Sequence, residues 1–181
     1  ALVLSATVFA GKGGVSTTRR ASEIVKTIQK YHYKPRPVDD SLSSLIFNSF
    51  LESLDPVGCF FTTENLGDLE RYRFEIDDQI KNEKTVFFDA VKDAFMKQQK
   101  RADSILTLIG KKGVDVSRND TLWLGGDVKY VPMSELSGRW EQWIKYIIVW
   151  SWESQRDTAD KKINLSKEKT AELLKDAISW E

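Results

Sequence analysis

The most conspicuous chemical motif in the sequence is a glycine-rich stretch, GKGGVSTT, at residues 11–18. A glycine loop between a strand and a helix can cradle phosphate, but the G-x-x-x-x-G-K-[ST] motif also requires a lysine directly before the hydroxyl residue. Ser16 and Thr17 occupy the positions of the second glycine and of that lysine. No apolar strand ending in an aspartate that could hold magnesium follows. A nucleotide-dependent switch therefore remains only a third hypothesis, and we expect no nucleotide partner.

The sequence also offers possible nucleophiles and bases. A Ser/Lys dyad requires a serine within hydrogen-bond reach of a desolvated lysine, whereas the serines and lysines here fall on predicted polar faces and helix caps. A Ser-His-Asp triad would have to use His32, the single histidine, which we interpret as structural or exposed. The single cysteine, Cys59, is expected to be a buried small hydrophobe. The sequence thus predicts no catalytic residue, no metal site and no cofactor, and it leaves binding residues unassigned.

Two acidic pairs, Asp39-Asp40 and Asp77-Asp78, could in principle act as an acid and a base or bind a cation. Adjacent residues of a helix point about 100° apart, so the two carboxylates of such a pair seldom converge. We therefore predict that both pairs lie on the solvated surface or cap helices.

The charge and composition of the chain limit the classes of partner. The chain has 27 basic and 27 acidic side chains, and 41% of its 181 residues are hydrophobic. A balanced charge argues against nucleic acid, whose binders show a clustered positive footprint. The hydrophobic content suffices for a folded core, and the length fits one domain, with or without a small extension.

The first ten residues, ALVLSATVFA, are apolar and uncharged, and they end in small residues at the positions that a signal peptidase inspects. We interpret residues 1–10 as the remnant of a secretory signal peptide, although an ordinary first strand is the alternative. Residues 11–17 would then be a flexible N-terminus and residues 18–181 a helical domain. The protein is accordingly expected to be exported to the periplasm.

Helical periodicity dominates the remainder of the sequence and predicts an all-α fold of about six helices in an irregular bundle or bowl. The first helix, about 18–33, would bury Ile24, Val25, Ile28 and Tyr31. The second begins after Asp39 or Asp40, the third after Thr62, and the fourth spans about 85–109 with Gly110 as its C-cap. The fifth begins at Ser134, and Ser166 caps the last.

Residues 111–133 break the helical pattern and predict a long irregular connection, which could hold a short hairpin near Gly125-Gly126. Connections of this length are often functional, as a gate or as a tether. The following helix carries a stripe of Trp140, Trp143 and Trp150, which we expect to be core because of its helical spacing. Trp152 and Trp180 lie off that stripe, and they are the better candidates for contact with a partner.

The segment YHYKPRPVDDSLSSLIFNSFLESLDPVGCFFTTENLGDLERY resembles the N-terminal helical domain of the tail-specific proteases, also called Prc or C-terminal processing peptidases. That family shows a tyrosine, an acidic pair, a helix of the form I-F-x-x-x-L-x-x-L-D and an aromatic-threonine cap. These features correspond here to Tyr33, Asp39-Asp40, Ile46-Phe47, Leu51, Leu54-Asp55 and Phe61-Thr62. The resemblance continues through FFDAVKDAFMKQQKRADSILTLI and covers residues 24–181, although Asn65 stands where the family usually has aspartate.

The resemblance implies a non-catalytic domain that precedes a PDZ domain and a serine protease core, neither of which is in this chain. In that family the helical domain packs around the protease as a bowl, and it helps to hold protein substrates or an adaptor lipoprotein. The catalytic serine and lysine belong to the later core, so no catalytic role transfers to any residue here. The expected partners are protein substrates, the PDZ and protease domains of the same parent chain, and an adaptor lipoprotein.

Two hypotheses are thus ranked above the nucleotide-dependent switch. The first is the N-terminal domain of an exported tail-specific protease, whose parent is a Ser/Lys endopeptidase. The second is a stand-alone helical adaptor or inhibitor built on the same domain.

Overall fold

The computed structural model describes residues 17–122, 127–155 and 166–178. Within these residues the chain forms seven α-helices: α1 (Thr17–Tyr31), α2 (Asp40–Leu54), α3 (Thr63–Leu69), α4 (Ile76–Lys81), α5 (Val86–Lys112), α6 (Leu136–Gln155) and α7 (Lys167–Ile178). Among the described residues there is one isolated β-bridge, which joins Thr62 and Val131. The predicted all-α fold is confirmed. The predicted signal remnant (1–10), residues 11–16 of the glycine stretch, the hairpin turn at Gly125-Gly126 and Trp180 lie outside the described residues.

Two predicted helix starts are confirmed by their capping side chains. Asp39 Oδ1 accepts hydrogen bonds from the N–H groups of Ser41 and Leu42, at 3.0 and 3.2 Å, at the start of α2. Ser166 Oγ accepts from the N–H of Lys169 at 3.1 Å, at the start of α7. Each cap satisfies a backbone donor that has no partner inside its own helix.

The single helix predicted to follow Thr62 is divided into α3 and α4, with a 3-10 turn at Glu70–Tyr72 between them. The second start is possible because α2 caps α4: the hydroxyl of Ser43 accepts from the N–H of Asp77 at 2.8 Å. The start of α4 thus depends on a hydrogen bond to a residue distant in the chain, and a local sequence pattern cannot reveal such a cap.

The predicted C-cap at Gly110 is wrong, because α5 continues past it to Lys112. Gly113 follows with a φ of +79°, a conformation that favours glycine because it has no Cβ. The N–H of Gly113 still donates to the carbonyl of Ile109 at 2.8 Å, so the helix closes its last turn there.

The described residues form two compact units. The first unit contains residues 17–56 and 65–94, and the second contains 57–64 and the described residues from 95 onward. In the first unit α4 contacts both α1 and α2. Its aromatic core places the rings of Phe47 and Phe87 with their centroids 5.5 Å apart, and Gln79 Oε1 accepts from the N–H of Phe87 at 2.8 Å near the start of α5.

The inward stripe predicted for α1 is largely wrong. Ile24, Ile28 and Tyr31 are 59, 47 and 72% exposed, whereas Ser22 is buried and Val25 half-buried. The helix therefore packs with one edge of its apolar face and leaves most of that face outside. Periodicity identified the apolar face correctly, but it could not identify which side of that face meets α4.

The second unit has its own hydrophobic core, to which α5, α6 and α7 contribute. Its buried members are Cys59, Ala102, Leu106, Ile109, Leu136, Trp140, Ile144, Ile148, Leu173 and Leu174. Cys59 is fully buried among them, as expected. Aromatic contacts extend this core, since the ring of Phe60 meets Trp140 edge-on at 5.2 Å and Phe95 at 5.0 Å.

The connection after α5 is held to the second unit at several points. Val131 forms the bridge with Thr62, and its carbonyl oxygen accepts from the N–H of Thr63 at 3.1 Å. At Gly58, where φ is +64°, a Cβ would lie 2.8 Å from the carbonyl oxygen of Lys129. The segment carrying Lys129 therefore approaches the backbone at Gly58 so closely that a side chain there would not fit.

Candidate binding surface

The outer side of α6 carries three aromatic side chains that we call the α6 aromatic strip: Trp143, Tyr146 and Trp150. Tyr146 is 37% exposed and Trp150 is 58% exposed, while Trp143 is half-buried at the edge of the core. The rings of Trp143 and Tyr146 are stacked, with centroids 5.3 Å apart and planes inclined by 20°. Trp150 follows Tyr146 by four residues, so their side chains occupy successive turns of one helix face.

The expectation that Trp150 is core is wrong, whereas Trp152, a predicted contact residue, is half-buried against the core of the second unit. Buried residues recur along α6 every four positions: Leu136, Trp140, Ile144 and Ile148. Because four residues advance about 400° around a helix, this face rotates by about 40° at each step. The rotation brings Trp152 against the core of the second unit and turns Trp150 outward.

Ion pairs from the preceding connection fix the middle of α6. Lys145 Nζ lies 2.9 Å from Asp120 Oδ2 and also donates to the carbonyl of Arg118. Both charged side chains of the pair are largely shielded from solvent. The hydrogen bond from Lys145, with a further contribution from Arg118, lowers the pKa of Asp120 below its usual range. Lys145 immediately precedes Tyr146, so this pair anchors the turn that carries the strip.

A second anchor lies at the start of α6. The carboxylate of Glu64 accepts from the N–H of Met133, with both oxygens at 3.2 Å, in the 3-10 turn that precedes α6. The hydroxyl of Thr62 is the main cause of a lowered pKa at Glu64, and this backbone N–H adds to it. The strip is therefore held on a helix that is anchored both at its start and at its middle.

A cluster of the buried Ser43 and Asp77 with the exposed Lys81 in the first unit resembles a catalytic arrangement, but its geometry is structural. Ser43 Oγ donates to Asp77 Oδ1 at 2.6 Å and accepts from the N–H of the same residue at 2.8 Å. Lys81 Nζ binds Asp77 Oδ2 at 2.7 Å. The hydroxyl is fully buried and both its roles are occupied, so it has neither the access nor the basic partner that a nucleophile requires.

This cluster corrects the prediction for the Asp77-Asp78 pair. Asp77 is buried rather than solvated, whereas Asp78 is exposed and shares Lys81 with it, at 3.1 Å. Burial alone would raise the pKa of Asp77, but the hydrogen bonds from Lys81 and Ser43 outweigh burial and lower it. The prediction failed because the partner of Asp77 is a buried serine on α2, and no local sequence pattern connects that serine with α4.

The remaining candidate groups form no site within the described ranges. His32 is exposed, as expected, and its Nδ1 accepts from the N–H of Lys34 at 3.2 Å. No group of three or more His, Cys, Asp or Glu side chains among the described residues could hold a metal ion. None of the described helices combines the length and the apolar character needed to cross a membrane.

Comparison with known proteins gives one family. The family model described as the tail specific protease N-terminal domain matches residues 24–179. No curated protein matches the chain.

Proposed function

The chain belongs to the tail-specific protease N-terminal domain family, and on that premise we propose that it is the non-catalytic N-terminal domain of an exported tail-specific serine protease. Its role is to scaffold the protease and to help recognise protein substrates or an adaptor. The partners in this account are the PDZ and protease domains of the same parent chain and protein substrates, with an adaptor lipoprotein as a further partner.

The observation that carries this proposal is the α6 aromatic strip. Tryptophan and tyrosine dominate the binding energy of many protein interfaces, because a large rigid ring buries much area at a low cost in conformational entropy. Here a stacked pair and an exposed tryptophan lie on one face of an anchored helix. A folded domain rarely leaves such a cluster uncovered unless it binds something.

The strip is suited to binding a protein and not to chemistry. Its two tryptophans carry no ionisable group, no described contact supplies a base to the hydroxyl of Tyr146, and the hydroxyl of Ser43 is buried. Peptide hydrolysis is therefore assigned to the serine and lysine of the parent's protease core. A protease assay on the purified 181-residue chain is expected to show no turnover.

The second candidate function is a stand-alone adaptor or inhibitor that uses the same strip to bind a separate protein. The mass and N-terminal sequence of the native polypeptide distinguish the two. A polypeptide several times longer than 181 residues, beginning near Gly11 in the periplasmic fraction, would support the protease domain and its signal peptide. A polypeptide of about the length of this chain would support the adaptor and overturn the scaffold.

A further inference from the structure

The segment formed by α1 and the following loop has a charge very different from the rest of the chain. Residues 17–36 contain six of the 27 basic side chains but only one of the 27 acidic ones. The single acid, Glu23, pairs with Arg19 at 3.3 Å. Within the described residues, no ion pair involves the other five basic groups, which are Arg20, Lys26, Lys30, Lys34 and Arg36. The protein is neutral overall, so this segment is a local positive surface.

The same segment also exposes its apolar side chains. Ile24, Ile28 and Tyr31 recur at the spacing of a single helix face, and all three are open to solvent. Tyr33 follows them and is almost fully exposed. Lys30 Nζ lies 5.0 Å from the ring centroid of Tyr31, and Gln29 Nε2 donates to the carbonyl of Arg36. The first contact brings an ammonium group to the end of the apolar stripe, and the second holds the backbone of the basic loop against α1.

Basic side chains also gather on the side of α1 opposite the apolar stripe. Lys26, Lys30 and Lys81 line one groove of about 420 Å³ with Val25 and other apolar side chains. Lys81 is already paired with the carboxylates of Asp77 and Asp78, whereas Lys26 and Lys30 have no such partner in the described contacts. Lys26 and Lys30 thus form an uncompensated basic polar face on the side of α1 opposite the stripe of Ile24 and Ile28.

We propose that the exposed face of α1 binds the surface of an anionic phospholipid bilayer. Helices that lie in the membrane interface combine an apolar face, a basic polar face and low overall hydrophobicity. Isoleucine side chains would enter the headgroup–acyl boundary, tyrosines would lie at its polar side, and lysines would reach back to the phosphates. This inference goes beyond the proposed protease role and does not depend on the α6 aromatic strip.

The packing of α1 favours a bilayer over a protein groove. A helix bound in a groove is usually gripped along most of its apolar face. On α1 the edge of that face at Ser22 and Val25 is directed inward, and α1 contacts α4 in the first unit. A groove that took the whole face would have to separate α1 from α4, whereas a bilayer needs only the outward half.

The test is co-sedimentation of the 181-residue chain with vesicles. Binding is compared between phosphatidylcholine alone and a 3:1 mixture of phosphatidylcholine with phosphatidylglycerol, at low salt and at about 0.5 M NaCl. The proposal predicts binding to the anionic vesicles only, and its loss at high salt. Absence of binding to both compositions overturns the proposal and leaves an acidic protein surface as the partner for this face.

Two variants of α1 test whether any vesicle binding depends on this helix. Ile24→Ser with Ile28→Ser should weaken partitioning by about tenfold, and Lys26→Gln with Lys30→Gln should weaken it by about fivefold per lysine. The controls on α5, Leu108→Ser and Lys97→Gln, replace an exposed aliphatic side chain and an exposed lysine, and they should leave binding unchanged. Binding that survives both α1 variants overturns the proposal and points to another segment, such as the apolar residues 1–10. Circular dichroism of each variant confirms that the fold is intact.

Discussion

The guanidinium of Arg139 donates two hydrogen bonds to the carbonyl oxygen of Val57, from Nε at 3.1 Å and from Nη2 at 2.9 Å. Arg139 lies on α6, and Val57 opens the segment that contributes Cys59 and Phe60 to the second unit. The arginine is nearly buried, so a cation satisfies a backbone carbonyl where little water is available. This contact connects parts of the chain that are 82 residues apart.

Replacing Arg139 should therefore destabilise the protein. Arg139→Met removes both donors and keeps an apolar chain of similar reach, and we expect it to lower the free energy of unfolding by about 2 kcal/mol. Arg139→Lys can restore one donor but not the paired geometry, so it should recover only part of the loss. Urea denaturation measures the free energy of unfolding of both variants. Arg20→Met on the exposed face of α1 is the control, and an equal effect of the two Arg→Met changes would contradict the account.

The buried Ser43–Asp77 contact should make stability depend on acid. The pKa of Asp77 is lowered in the folded protein, so its contribution is fully present above the unfolded pKa, near 3.9, and is lost as the pH falls through the lower folded value. Asp77→Asn should be less stable than the wild type at pH 7, by about 1–3 kcal/mol. The difference in unfolding free energy between the wild type and Asp77→Asn should become smaller as the pH falls below about 4.

Asp78→Asn is the matched control, because its exposed carboxylate shares the same lysine. It should change stability by less than about 0.5 kcal/mol at any pH. A pH-independent gap between Asp77→Asn and the wild type would show that the carboxylate charge of Asp77 does not stabilise the fold.

Three glycines should respond differently to alanine. Gly58 combines a positive φ with a carbonyl oxygen 2.8 Å from the position of a Cβ, so Gly58→Ala should be the most destabilising, by more than about 2 kcal/mol. Gly113 has a positive φ but open space, and Gly113→Ala should cost about 1 kcal/mol. Gly110 lies inside α5, and Gly110→Ala should stabilise the helix by up to about 1 kcal/mol. Thermal unfolding measures the order of the three stabilities, and any other order would show that Gly58 and Gly113 do not have positive φ or that Gly110 is not helical.

The tryptophans of α6 should separate into core and surface. Trp140→Ala removes a buried ring from the core of the second unit and should lower stability by about 3–5 kcal/mol. Trp150→Ala removes an exposed ring and should change stability by less than about 0.5 kcal/mol. Chemical denaturation of the isolated chain compares them. A large loss for Trp150→Ala would mean that this ring supports the fold and is not free to bind a partner.

The contrast between these two tryptophans shows what the sequence could reveal. Helical spacing placed Trp140 in the core correctly, and capping residues such as Asp39 and Ser166 located helix starts, because these signals are local. The same spacing failed for Trp150, since the buried face of α6 rotates along its length, and for Ile24, since α1 packs by one edge. The clustering of Ser43 with Asp77 also depends on packing between α2 and α4, and no periodicity records that contact.

If the α6 aromatic strip is the surface by which this domain scaffolds a tail-specific protease, another part of the longer protein covers the strip. Hydroxyl-radical footprinting of Trp150 and Tyr146, in the 181-residue chain and in the native polypeptide that carries it, tests this most directly. Phe74, an exposed ring of the first unit, is the internal reference. Both strip residues should be oxidised readily in the isolated chain and several-fold more slowly in the longer protein. Equal oxidation rates in the two proteins, relative to Phe74, would contradict it.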